Sequence, residues 1–140
     1  MTTDWQQLLS ADDGCQLHPG ASAGDIAAAE AALEAVFPAD LRELYLVSDG
    51  VFDAPGQWFV IWPLAEVVTR NQDAWSWEDS PGRRVLVGFG DDGTGDPFCV
   101  PRDGGGGAFA WSPVDGTATL LADTVAGFWS GWIAGTLPPH

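Results

Sequence analysis

Lysine is absent from this chain, and all five of its basic residues are arginines. Against them stand 20 acidic residues, for a formal net charge of −15. A field of that sign repels nucleic acid and anionic membranes, so neither is an expected partner. It attracts a basic partner, although acid at this density also keeps an aromatic-rich protein in solution. Without lysine a Walker-type phosphate loop has no cation to complete it. Cysteine is scarce too: Cys15 and Cys99 are the only two. So sparse a pair, with no secretory leader, points to two free thiols in a reducing compartment rather than to a disulfide framework. The opening segment MTTDWQQLLS has neither a basic start nor an apolar core, so the expected location is the cytoplasm. No apolar run approaches the roughly 18 residues of a membrane-spanning helix. Histidine is rare, with His18 the one internal copy. A nucleophile triad therefore lacks raw material, and no enzyme activity, metal or cofactor is expected.

Aromatic residues are plentiful. Eight tryptophans and seven phenylalanines in 140 residues, 46% of them hydrophobic, exclude a disordered acidic tail. The length suits one domain over 1–140, long enough to bury roughly 68–70% of the surface its unfolded chain exposes.

The hydrophobic spacing changes period along the chain. DWQQLLS suits a short helix, and ADDGCQLHPGAS reads as loop. SAGDIAAAEAALEAVF places Ile26, Ala29, Leu33, Val36 and Phe37 on one helical face, with Ser22 and Asp25 as a capping box. Pro38 stops it. A second helix restarts at Asp40 and ends at Asp49-Gly50, where glycine tolerates the left-handed cap. QWFVIW reads as a buried strand. PLAEVVTRNQDAW returns to helix, with Pro63 allowed in its first turn, and SWEDSPG reads as a turn. RRVLVGFG predicts a strand with Val85, Val87 and Phe89 on one face. PFCV, AFAW and TATLL predict three more. DTVAGFWSGWIAG predicts a closing helix with a stripe of Val125, Phe128, Trp129, Trp132 and Ile133. Hairpin-length connections and segregated elements argue for one α+β domain. Its sheet is expected to be mostly antiparallel, with about five or six strands, N-terminal helices, one inserted helix and a C-terminal helix.

The stretch FGDDGTGDPFCV is the most unusual. Three aspartates and three glycines sit between Gly90 and Asp96. A calcium loop begun at Asp91 would place Gly93, Gly95 and Arg102 where oxygen ligands belong, so it fails. An irregular cation site from Asp91, Asp92 and Asp96 is the weaker alternative to a solvated turn. Three carboxylates repel phosphate. A hairpin tip accounts for the glycines, but not for three acids.

Taken in order, FPADLRELYLVSDG (Phe37-Pro38 to Gly50), WPLAEVV, GDDGTGDPFCV and the aromatic C-terminal helix resemble the SUKH superfamily, with the similarity spanning residues 22–134. That superfamily contains many bacterial immunity proteins that neutralise polymorphic toxins, and a yeast regulator of cell-wall synthesis. The resemblance implies a non-enzymatic α+β binding module with no shared catalytic residues. It also implies a structural turn role for Gly50, Gly95 and Asp96. On this reading the partner is a protein, a basic and nuclease-type toxin domain, drawn to the acidic surface. Asp73, Trp75, Trp77, Glu78 and Asp79 in one short segment, with Asp91 and Asp92 on the hairpin, are the candidate contacts, and the tryptophans are candidate anchors. A regulatory adaptor of the same fold, with no toxin partner, is the alternative.

Overall fold

The computed structural model describes residues 4–11, 13–77 and 81–139. The Ser22 hydroxyl accepts the Asp25 N–H at 3.0 Å and the Asp25 carboxylate accepts the Ser22 N–H at 3.3 Å. This capping box starts α2, Ala23–Leu33. The helix ends four residues short of the predicted Phe37. Glu34 turns into the left-handed region at φ 51, and the Ala35 N–H reaches back to Glu30 O. The Glu30 carboxylate then accepts the Phe37 N–H at 2.8 Å. Val36, expected on the buried face, is therefore exposed, while Phe37 is buried. The Arg102 guanidinium donates to Leu33 O at 2.9 and 3.1 Å, a cation placed where the helix dipole is negative.

The other helices are α1 (Trp5–Ser10), α3 (Ala39–Val47), α4 (Leu64–Trp77), α5 (Pro81–Arg84) and α6 (Val125–Ala134). Asp49 accepts the Leu64 N–H at 2.8 Å and Asp40 accepts the Ala126 N–H at 3.1 Å. Acids from elsewhere in the chain thus cap α4 and α6, at the positive ends of their dipoles.

Seven strands form one antiparallel sheet, in which spatial order follows sequence order. They are β1 (Cys15–Leu17), β2 (Val51–Asp53), β3 (Trp58–Ile61), β4 (Leu86–Asp91), β5 (Pro97–Pro101), β6 (Ala108–Ser112) and β7 (Thr117–Ala122). The single α+β architecture agrees with the sequence expectation, and the strand count exceeds it. The additions are β1, inside a stretch read as loop, and β2. Each has three residues, too few to display a period of two.

Two further boundaries differ. α4 continues to Trp77 where a turn from Ser76 was expected. The Ser76 hydroxyl bonds back to Asp73 O at 2.8 Å, so Ser76 satisfies itself locally without breaking the helix. The strand expected from Arg83 begins at Leu86, because Arg83 and Arg84 close the short α5; Val85 is left 62% exposed. On α6, Val125, Phe128 and Trp129 are buried as expected, Trp132 is half-buried and Ile133 is exposed.

The main core lies between the helices and one sheet face, where Val87, Phe89, Phe98, Val100, Ala108 and Ala110 alternate inward. Phe128 of α6 meets Phe98 at 4.6 Å and Phe89 at 5.5 Å between ring centroids. Each such pair adds about 0.5–1.5 kcal/mol beyond area burial. The intervening residues Leu86, Cys99, Phe109 and Trp111 form a smaller cluster on the opposite face. Cys15 lies on β1 and Cys99 on β5, and the two are not joined in a disulfide.

Candidate functional site

β3 reaches only to Gly90 of its neighbour in register, at Ile61. The β4 residues before that point lack a strand on this side, and Asn71 of α4 takes its place. Its Oδ1 accepts the Gly88 N–H at 2.7 Å and its Nδ2 donates to Gly88 O at 2.8 Å. One carboxamide thus satisfies both backbone groups of a buried residue, as a paired strand would. The same Oδ1 accepts from Arg83 Nη2 at 2.9 Å, and Arg83 Nη1 donates to Leu86 O at 2.8 Å. Arg83 is 2% exposed, and its Nε–H has no hydrogen-bond partner. A buried guanidinium held by neutral oxygens fixes the α4–α5 corner against β4.

Gly88 also gives room. A Cβ there would lie 3.1 Å from the Trp62 ring and 3.2 Å from Arg83 Nη2. Trp62 is the hub of the neighbouring surface. Its Nε1–H donates to Asp91 Oδ2 at 2.8 Å, and the Arg70 guanidinium lies over its ring at 4.7 Å. Asp91 Oδ1 accepts the Gly93 N–H at 2.8 Å, and Asp91 O accepts from Trp58 Nε1 at 3.2 Å. Asp92 Oδ1 accepts both the N–H and the hydroxyl of Thr94. These Asx turns account for the two adjacent aspartates. Asp96 contributes its carbonyl, which accepts the Asp92 N–H at 3.4 Å. Gly93 and Gly95, at φ 86 and 105, supply the left-handed positions of the hairpin tip. Gly50 has φ 97, and a Cβ there would meet Pro63 at 3.0 Å.

A groove of about 400 Å³ opens between α4 and this hairpin, lined by Trp62, Arg70, Asp73, Arg83, Asp91 and Pro97 among others. It brings together Asp73 and Asp91, which come from separate predicted segments. Trp75 lies apart from this groove. Its indole N–H donates to Arg83 O at 3.2 Å and Leu86 O at 3.1 Å, and Arg102 stacks over the ring at 3.9 Å. The side chain of Trp77, and Glu78 and Asp79, lie outside the described residues. Sequence reasoning passed over Asn71 and Arg83. A readable signal existed for Asn71: it continues the buried row of Leu64 and Val67 on α4, and a polar residue on an apolar row needs internal partners.

All five arginines have partners within the fold. Arg42 pairs with Glu30, Arg70 with Glu66 and Trp62, Arg83 with Asn71 and Leu86, Arg84 with Trp75 O, and Arg102 with Leu33 O and the Trp75 ring. Asp4, Asp13, Asp25, Glu34, Asp73, Asp103, Asp115 and Asp123 are exposed. Tyr45 is buried beneath, with its hydroxyl donating to Trp62 O at 2.7 Å. Burial, then Asp49, then Glu66 hold its phenol well above the usual 10.0. Among the described residues no helix is long and apolar enough to cross a membrane.

No curated protein matches the chain in sequence. A family model described as SMI1 / KNR4 family (SUKH-1) matches residues 20–131, from the approach to α2 through most of α6. That span takes in β2 to β7, the Asn71 bridge and the aspartate hairpin, and it places the chain in the SMI1/KNR4 (SUKH-1) family.

Proposed function

We propose that this chain is a non-enzymatic binding protein of the cytoplasm, an immunity protein that neutralises a basic, nuclease-type toxin domain by one-to-one binding. Membership of the family favours a role in protein–protein contact. The observation that carries the reading is the fate of the cations. With net charge −15 and every arginine engaged by an internal partner, the exposed charge is overwhelmingly acidic. Such a surface steers a basic cleft toward it, raising association rates by roughly 10–1,000-fold. The groove's charged groups are held in place, Asp91 by Trp62 and Gly93 and Arg70 by Glu66, as a preformed contact surface requires. Asp73 and the Asp91 edge form its acidic rim.

The test is co-expression with the toxin domain encoded beside this gene, read by growth, by recovery of the complex and by its stoichiometry. Growth should be restored and a one-to-one complex recovered, with the toxin chemically unaltered. Association should slow steeply with added salt, because a Debye length of about 10 Å at 0.1 M screens exposed charges. Growth arrest despite abundant folded protein, with no complex recovered, refutes the reading.

A further inference from the structure

β7 is the last strand of the sheet, and among the described residues it pairs with β6 alone. In an edge strand every second N–H and C=O points outward without a strand partner. Proteins usually blunt such an edge with charge, proline, a bulge or extreme shortness. The opposite edge of this sheet follows the rule, since β1 is three residues long. β7 is six residues long and reads TATLLA, with neither charge nor proline, and its one irregularity is a register shift at Leu121 near its end, which leaves Thr117–Leu120 regularly paired. Thr117, Ala118 and Leu120 are exposed, Leu120 to 50%.

The surface beside this edge is apolar. Leu120 stands opposite Phe109 in register, so both side chains project from the sheet face away from the main core. Phe109 in turn forms, with Val85, Leu86 and Pro101, the apolar part of a cleft of about 570 Å³ that Glu34, Arg84, Arg102 and Asp103 also line. An apolar strip therefore runs from that cleft to the open edge. The two ends of the edge are acidic, with Asp115 and Asp123 both exposed.

Those two acids select the occupant. If a second copy paired through β7 in antiparallel fashion, Asp115 of one chain would meet Asp123 of the other. In parallel fashion each would meet its own twin. Like charges placed opposite one another destabilise a strand pair, and two chains of net charge −15 add long-range repulsion. A strand from a basic protein meets neither obstacle. We propose that β7 accepts an eighth strand from the basic protein partner: an extended segment with an apolar residue beside Leu120 and Lys or Arg at each end, facing Asp115 and Asp123. Main-chain hydrogen bonds supply affinity in this mode, and the alternating side chains supply selectivity. The inference rests on the binding-protein reading above and assigns its contact to one strand.

The probe is a capped ten-residue peptide with a Val/Thr-alternating centre and two lysines at each end. Its control is a twin with every central amide N-methylated, which keeps the charge and removes the donors. Binding is titrated at physiological salt, and amide exchange is mapped on the intact protein. The parent peptide should bind and slow exchange at Thr117–Ala122. The methylated twin should bind at least tenfold more weakly. Leu120→Lys, a change at an exposed side chain, should weaken the parent at least tenfold with the melting temperature unchanged. Equal binding of the twin, protection confined to other elements, or no binding overturns the proposal. A concentration-dependent dimer of the free protein that Leu120→Lys abolishes also overturns it, in favour of a second copy. The neighbouring toxin domain separates the two readings. A complex that leaves β7 amides unprotected sinks the strand-addition proposal and leaves the immunity reading standing. Peptide binding as expected, with no complex from the toxin, does the reverse.

Discussion

Replacing Asn71 with leucine keeps the branched shape and the number of heavy atoms while removing four hydrogen bonds at once. One of them matters little, because Val67 O keeps its place in the α4 ladder. The other three leave Gly88 N–H, Gly88 O and Arg83 Nη2 without partners beside a fully buried side chain. Each buried orphan costs about 1–3 kcal/mol, and more where it carries charge. Water entering from the Trp62–Asp91 groove and the apolar gain of leucine offset part of this, so a net loss of about 3–5 kcal/mol is expected. For a chain of this size that lowers the melting temperature by about 10–20 °C. Urea titration should show a lower midpoint at unchanged slope. Asn71→Asp keeps the acceptor for Gly88 N–H and Arg83 and loses the donations to Gly88 O and to Val67 O, so it should cost about 1–2 kcal/mol. Combining Asn71→Leu with Arg83→Leu should cost less than the sum of the two, with a coupling of about 0.5–3 kcal/mol. A loss below about 1 kcal/mol for Asn71→Leu would show that solvent already satisfies Gly88, and the carboxamide would no longer count as a substitute strand.

Tyr45 is neutral in the fold beyond its usual ionisation at 10.0, so its contribution to stability is complete below pH 10 and falls as the pH rises above it. Tyr45→Phe should flatten that alkaline decline and cost about 1–2 kcal/mol at neutral pH, because Trp62 O loses its donor; phenolate absorbance rising at the ordinary value in the folded protein would contradict this. Asp91→Ala should lower stability by about 1–3 kcal/mol, chiefly by stranding the Trp62 donor of a part-buried hydrogen bond, whereas Asp96→Ala should change it little; thermal melts of the pair in the opposite order would reverse these roles. Trp75→Ala should destabilise by about 3 kcal/mol through lost packing under Arg102, and unchanged stability with a large fall in partner affinity would make the ring an anchor instead.

The readable parts of this fold are those where one period runs long enough to be seen. The row Ile26, Ala29 and Leu33 announces α2, and Val125, Phe128 and Trp129 announce α6. Alternation in VLVGF, PFCV and AFAW announces the sheet that faces them. What escaped was decided across the chain. β1 and β2 are strands because they pair with each other and with β3, and three residues carry no period of their own. α2 stops at Leu33 because Arg102, 69 residues away, meets its last carbonyl. Val85 is exposed because Arg83 is needed at Asn71. In the candidate site, the acid in FGDDGTGDPF was visible, but the destination of each carboxylate was not: that of Asp91 accepts from Trp62 and Gly93, while its backbone carbonyl accepts from Trp58.

The sequential order of the strands also shapes how the chain folds. Each strand pairs with its immediate predecessor, so most of the sheet assembles by closing short hairpins, the least costly loops in entropy. The exceptions are β1 to β2, where α2 and α3 intervene, and β3 to β4, where α4 and α5 intervene and Asn71 must arrive before Gly88 is satisfied. Closure comes from the far end, when α6 docks: Trp129 Nε1 donates to Leu8 O across 121 residues, and Asp40 meets Ala126 across 86. During vectorial synthesis α1 and α3 therefore wait, with Trp5 and Leu41 uncovered, until the tryptophan-rich helix emerges. The apolar faces of the first helices are then the segment most in need of a holding chaperone, and a ribosome stalled before Val125 would present them longest.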